Sequence, residues 1–257
     1  MKNKIKLVIQ FATRDFTQKY VGTGLGQLWF FLSPILMISI YTIVFSDIMQ
    51  SKLHFKQDTF EYSTYLIPGI IAWTSFSTVV SSLSNSFEKK ANLIKKINVP
   101  MYVFQLSTLI TEFTIFAISI ILAILFLLIT TSSVTVAFLW MFPVMLLQTI
   151  FAFSLGVIFS LFIPFFKDLK IVVPIIMKLW FWITPIVYLK DIIEHKFPLV
   201  LAFNPVFYFI DIYHDIFIYS KAPSLSSLLT ITLLSFTLLL LAAYLYKKMV
   251  STIKDLI

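Results

Sequence analysis

Uncharged apolar stretches, parted by short polar or basic segments, recur along the whole of this 257-residue chain. A helix that crosses a bilayer needs about 20 mostly apolar residues, so runs of that length are the elements to find. The first is Tyr20 to Ser46, with Leu28 to Ser46 as its apolar core, and the second is Tyr62 to Phe87. From Phe113 to Phe166 there is no charge, which is too long for one crossing, and "TTSSVT" (Thr130 to Thr135) supplies a turn within it. This predicts spans over 102–129, holding Glu112, and over 136–163. A fifth span is predicted over 171–189, with Lys178 inside it, and a sixth over 222–246. Phe197 to Ile210 is apolar but only 14 residues long and holds Pro198 and Pro205. That length suits a re-entrant piece or short surface-lying helices on the outer side rather than a crossing.

Residues 1–20 are too polar to cross, yet they have helical periodicity. Ile5, Val8, Ile9, Ala12, Phe16 and Tyr20 fall on one side; Lys6, Gln10, Thr13, Arg14 and Thr17 fall on the others. The pattern predicts an amphipathic helix lying in the membrane interface. Gly22, Gly24 and Gly26 then loosen the backbone where the chain turns from lying flat to crossing, and Trp29 anchors the turn at the headgroups. Residues 1–27 are thus an interfacial helix and hinge, 28–246 a six-span region and 247–257 a cytoplasmic tail, all within one membrane domain.

Charge gives an independent test of this topology. With six spans and both termini inside, the inner segments collect fourteen of the twenty Lys and Arg, the outer loops five, and Lys178 lies in a span. A seventh span would move the C-terminal lysines outside and spoil the bias toward cytoplasmic lysine and arginine. No cleavable signal peptide is expected, because the first apolar core is as long as a full span and "SDIMQSKL" after it lacks a small-x-small site.

Composition narrows the chemistry. Only 12% of residues are charged, about half the usual share for a soluble domain. The basic balance therefore speaks of membrane topology rather than nucleic acid. Cysteine is absent, which excludes disulfides and thiolate metal sites. His54, His195 and His214 stand at no metal-ligand spacing from one another. Neither a G-x-x-x-x-G-K-[ST] loop nor a strand followed by G-x-G-x-x-G occurs, so the chain should not bind or hydrolyse ATP by itself. A membrane transferase would need clustered acids. Here Asp47, Asp58 and Glu61 lie in one outer segment and Asp191, Glu194, Asp211 and Asp215 in another.

"RDFTQKYVGTGLGQLWFFLSPILMISIYTIVFS", from Arg14 to Ser46, resembles the first segment of ABC-2 type permeases that export bacterial polysaccharides, the membrane subunits of O-antigen, capsule and teichoic acid transporters. The resemblance rests on Arg14-Asp15, on Tyr20 to Trp29, on Ser33-Pro34 and on Tyr41 to Ser46. "NLIKKINVP" (Asn92 to Pro100), "FFKDLKIVVPIIMKLWFWITPIVY" (Phe165 to Tyr188) and "FNP" (Phe203 to Pro205) continue it in family order. Lys167 stands where the family usually has arginine, and His214 lies near the place of an arginine often found after Asn-Pro. The resemblance implies a homodimer of this chain in the cytoplasmic membrane, with two soluble ABC ATPase subunits beneath it that use ATP and magnesium. The polymer, carried on a polyprenyl pyrophosphate lipid, would pass outward between the two permease chains. An ABC-2 permease for drugs or lipids, a transferase acting on lipid-linked sugars, and a passive scaffold are the competing readings.

With this resemblance, "EKKANLIKKINVP" is the expected coupling element: Leu93, Ile94 and Ile97 would bury in the ATPase while Lys95 and Lys96 orient it. An ordinary basic loop is the alternative. Arg14, Asp15 and Lys19 form either a second contact with that partner or a lipid anchor. Glu112 either lines the path or bonds hydroxyls on a neighbouring helix. Lys178 either snorkels to the inner headgroups or attracts the carrier's pyrophosphate. Aromatic faces suit a sugar conduit, and the candidates are Tyr41, Phe45, Trp73, Phe76, Trp180, Phe181, Trp182 and Tyr188. Asn204 and Pro205 belong to the short piece expected to form an outer gate.

Overall fold

The computed structural model describes residues 2–49, 61–97, 99–130 and 134–256. Among them the fold is entirely helical, and five helical stretches are long and apolar enough to cross a membrane. The predicted turn at Thr130 to Thr135 falls largely outside the described residues, as do Lys52, His54, Lys56 and Asp58 of the first outer loop.

Helix α1 (Lys2–Gln18) lies against α6 (Tyr102–Thr130). Of its predicted apolar face, Val8 and Ala12 are buried, whereas Ile5 and Ile9 remain exposed. After it the chain turns through Gly22 (φ 89°) and Gly26 (φ 51°), backbone angles that glycine alone adopts without strain. The turn is clamped by aromatics: Phe30 stacks on Phe16 at 3.9 Å and meets the edge of Tyr20 at 4.8 Å. Helix α2 (Trp29–Met49) follows. Few of its described side chains are buried, and Phe31, Ile35, Leu36, Ile40 and Ile43 face outward.

Helix α3 (Glu61–Ser84) is the centre of the bundle. It touches α2, α6, α7 (Met141–Phe162), α8 (Leu169–Ile183) and α11 (Pro205–Tyr219). Its approach to α7 depends on a small residue: a Cβ on Gly156 would stand 2.7 Å from the Leu83 Cβ. Two short helices, α4 (Ser86–Lys89) and α5 (Ala91–Lys96), carry the chain from α3 back to α6. Helix α12 (Leu225–Leu256) lies along α7. The stretch expected to be a tail from residue 247 continues this helix to Leu256.

The predicted fifth span is where sequence and structure part. Helix α8 has 15 residues, about 22 Å, and is not among the five bilayer-length stretches. It stops because Thr184 precedes Pro185. A residue before proline is pushed out of the helical region, and Thr184 is extended (φ −92°, ψ 130°). The chain then runs unwound to α9 (Lys190–Lys196) and α10 (Pro198–Ala202).

Pro198 and Pro205 interrupt the chain here, and each does so by opening a new helix at a first-turn position where its missing N–H costs nothing. Helix α11 therefore runs nine residues past the expected end at Ile210. It starts beside Trp180 and Phe151, level with Trp73 and Phe76 near the middle of α3. It climbs past Tyr65, where His214 stacks at 4.0 Å, to Phe138, which Phe217 meets at 5.2 Å. The climb leads away from the end of the bundle that holds Lys89, Lys90, Lys95 and Lys96.

Candidate transport path and coupling surface

Two regions hold most of the predicted functional residues whose side chains are described: a groove beside α8, and the basic end of the bundle.

Helix α8 touches the rest of the protein along a narrow stripe. Val173 and Met177 are buried, while Ile171, Ile175, Ile176, Leu179, Trp182 and Ile183 are exposed. Between its lysine-bearing side and α3 runs a groove of about 350 Å³. Trp73, Phe181 and Trp182 supply aromatic walls, Ser77 and Ser81 supply hydroxyls, and Lys178 is its one charge. No carboxylate pairs with Lys178 among the described residues. The hydroxyls belong to a run, "TSFSTVVSSLSNS" from Thr74 to Ser86, that lines the basic half of α3. That run was visible in the sequence and is the signal passed over.

The aromatic candidates divide. Trp73 is buried in the main core yet reaches the groove at its edge, and it packs edge-on against Phe181 at 5.8 Å. Trp182 is 65% exposed. Phe76 departs from the expected lining: it is 1% exposed and sealed between Phe151 and Trp180, so it is a core residue. Tyr41 packs against the main core. Phe45 lies outside the residues whose side chains are described.

At the top of the groove, Trp180 and Asn204 form a joint. The indole Nε1 of Trp180 donates to Asn204 Oδ1 (2.8 Å), and Asn204 Nδ2 donates to Thr184 Oγ1 (2.9 Å). The same Oδ1 caps α11 by accepting from the Val206 and Phe207 amides (3.2 and 3.4 Å). Pro205 opens that helix. Beyond the joint, Tyr65 donates to the Tyr188 carbonyl (2.8 Å) and Tyr62 to the Val187 carbonyl, tying the unwound strand to α3. Tyr188 donates in turn to the Trp182 carbonyl (2.8 Å).

At the basic end, two ion pairs of opposite polarity pin the end of α1 and the turn that follows it. Asp15 accepts from Lys90 and from Ser107 Oγ (3.0 Å). One turn later, Lys19 donates to both oxygens of Glu112 (2.9 and 2.8 Å), which also accepts from Ser82 Oγ (3.2 Å). Glu112 thus bonds a neighbouring helix's hydroxyl, as one reading of the sequence expected, and also a lysine that the sequence did not link to it. Lys170 pairs with Glu88. Arg14 is exposed, and its Nε donates to Gln18 (3.3 Å).

Helix α5 offers less than expected. Ile94 is 6% exposed and already packs inside this chain with Phe87, Met101, Leu161 and Ile253. Leu93 is half-buried against the same cluster, which leaves Lys95, Lys96 and Ile97 on the surface. Among the described residues no three His, Asp or Glu side chains are grouped to hold a metal ion.

An all-helical bundle with five bilayer-length helices is the architecture of a multi-pass membrane protein. The sequence matches the ABC-2 type transporter family over residues 6–218, and the chain belongs to that family. It is 30% identical over 212 residues to the O-antigen export system permease protein RfbA of Klebsiella pneumoniae, covering 82% of this chain and 80% of the relative. It is 28% identical over 247 residues to the protein of the same name from Myxococcus xanthus, covering 94% and 91%.

Proposed function

We propose that this chain is the membrane subunit of an ATP-driven exporter that carries an O-antigen-type polysaccharide, joined to a polyprenyl pyrophosphate, out across the cytoplasmic membrane. Two copies would pair through the exposed sides of α2 and α8. Two soluble ABC ATPases would sit beneath the basic end, where both termini lie in the cytoplasm, and would use the ATP and magnesium. In this reading α8 and the unwound segment to Leu189 make the fifth of six crossings, so the count is completed by a broken span. Support comes from Tyr62 and Tyr65, which hold that segment at the end of α3 remote from the lysines.

The observation that carries the reading is the groove beside α8. Flat aromatic faces pack on the C–H faces of pyranose rings without fixing their hydroxyls, and Ser77 and Ser81 offer exchangeable hydrogen bonds beside them. Lys178, which lines the groove with no carboxylate paired to it among the described residues, would attract a pyrophosphate. The start of α11, held by Asn204, suits an outer gate that closes when no polymer is present. The similar proteins of Klebsiella pneumoniae and Myxococcus xanthus are O-antigen export permeases, which supports a cargo of the O-antigen type.

The experiment is deletion of the gene with analysis of lipid-linked glycan on both sides of the membrane, together with affinity purification of the tagged chain. Intracellular build-up, loss of surface polymer and a co-purifying ATPase are expected. Unchanged surface glycan without build-up would overturn the cargo assignment, and purification without an ATPase would overturn the partner.

A further inference from the structure

Two cavities flank the Lys19–Glu112 pair on the side of the bundle away from the α8 groove. The first, about 340 Å³, is lined by ten residues, all polar or charged. It mixes both signs: Lys19, Lys89 and Lys90 face Asp15 and Glu112. Two of the lysines are paired, but Lys89 has no carboxylate partner among the described residues. Asp15 takes its bonds through Oδ2 alone. Ser86, which also lines this chamber, is 2% exposed, and its Oγ has no hydrogen-bond partner. An unsatisfied buried hydroxyl costs free energy and marks a place where a ligand or water belongs.

The second chamber, about 260 Å³, shares Lys19 and Glu112 as its boundary. Beyond them its walls are chiefly apolar: Phe30, Met37, Ile71, Ile115 and Phe116. It lies deeper. Along α3 the lining moves from Ser82 to Thr74 and along α6 from Thr111 to Ser119, about 12 Å in each helix. Ser33 and Thr74, which line it, are exposed, so it opens to the surroundings of the bundle.

We propose that the two chambers form one lipid site, which takes a zwitterionic phosphoethanolamine head in the polar chamber and an acyl chain in the deeper one. The phosphate sits against Lys89 and Ser86, and the ammonium donates to the open oxygen of Asp15. A phosphatidylglycerol head could offer the open oxygen of Asp15 only a neutral hydroxyl, a weaker donor than an ammonium, and a choline head carries no N–H to donate. The proposal rests on the basic end lying at headgroup level and is independent of which polymer is exported.

The test is native mass spectrometry of the full chain, titrated with dioleoyl phosphatidylethanolamine, phosphatidylglycerol or phosphatidylcholine. Phosphatidylethanolamine should be retained at least fivefold better than either of the others. Asp15→Asn should abolish that preference, Lys89→Ala and Ser119→Phe should each reduce retention of all three lipids, and Lys254→Ala should change nothing. Equal retention of the three lipids, preference for phosphatidylglycerol, or a preference untouched by Asp15→Asn would overturn the site. If Ser119→Phe does not fold, the lipid comparison and Asp15→Asn still decide. Recovery of the unaltered chain in the membrane fraction separates a failed lipid site from a failed membrane placement.

Discussion

Trp180 and Asn204 meet across 2.8 Å, indole N–H to amide oxygen, and so fix the end of α8 to the start of α11. Asn204 serves four groups at once: this indole, the Thr184 hydroxyl and two amides of the first α11 turn. Asn204→Ala removes a helix cap and leaves buried partners unsatisfied. Together these should lower stability by about 2 kcal/mol, read as a fall in the thermal unfolding midpoint in detergent. An alanine variant as stable as the parent would show that the joint bears no load.

Lys19→Met should destabilise the chain by about 3 kcal/mol, because it strands the buried Glu112 carboxylate. Lys19→Met with Glu112→Met should recover most of the loss, since neither charge then remains. Thermal unfolding of both variants checks this. A double variant no better than the single one would mean that the pair does not hold α1 in place.

Gly156→Val places atoms where α3 and α7 already touch, with Leu83 and Val80 at the contact. Small residues permit such close helix approach in membranes. Overpacking of this kind costs about 1–3 kcal/mol. The variant should show weaker hydrogen-exchange protection in both helices, and full protection would contradict the observed spacing.

Lys178→Ala should cut export of surface polymer about tenfold at unchanged protein level, because the side chain is exposed and bonded to no carboxylate. Lys178→Arg should retain much of the activity. Surface glycan immunoblots against equal membrane loading give the readout. Normal export by the alanine variant would remove Lys178 from the path.

The two isoleucines of the α5 region should behave differently. Ile97→Asp, at an exposed site, should abolish co-purification of the ATPase and leave folding intact. Ile94→Asp puts a charge into the cluster around Phe87, Met101 and Ile253, and should destabilise the chain itself. Loss of the ATPase from neither variant would place the coupling contact elsewhere.

Much of the fold was legible because period and length are strong signals in a membrane chain. The five long helices follow the uncharged runs, and the glycine turn lies where three glycines precede Trp29. The break in the fifth span was legible too, in the Thr184-Pro185 pair, but hydropathy averages over a single backbone preference. The partner of Glu112 was not legible: Lys19 is 93 residues away, and only the packing of α1 on α6 brings them together. Ile94 and Ile97 look alike in the sequence. Which one the chain keeps for its own core depends on residues distant in sequence, Leu161 and Ile253 among them, that pack around Ile94.

Helix α12 has 32 residues and neither proline nor glycine, so it spans about 48 Å without the residues that usually kink a helix. Its far portion reaches the main core through Ile231, and Ser235 donates to the Leu147 carbonyl (2.9 Å). Its near tip, Ile253, is wedged beside Ile94. If the partner pushes on α5, as proposed, the push would meet no proline or glycine joint along α12, and would tilt that helix together with α7, against which it packs.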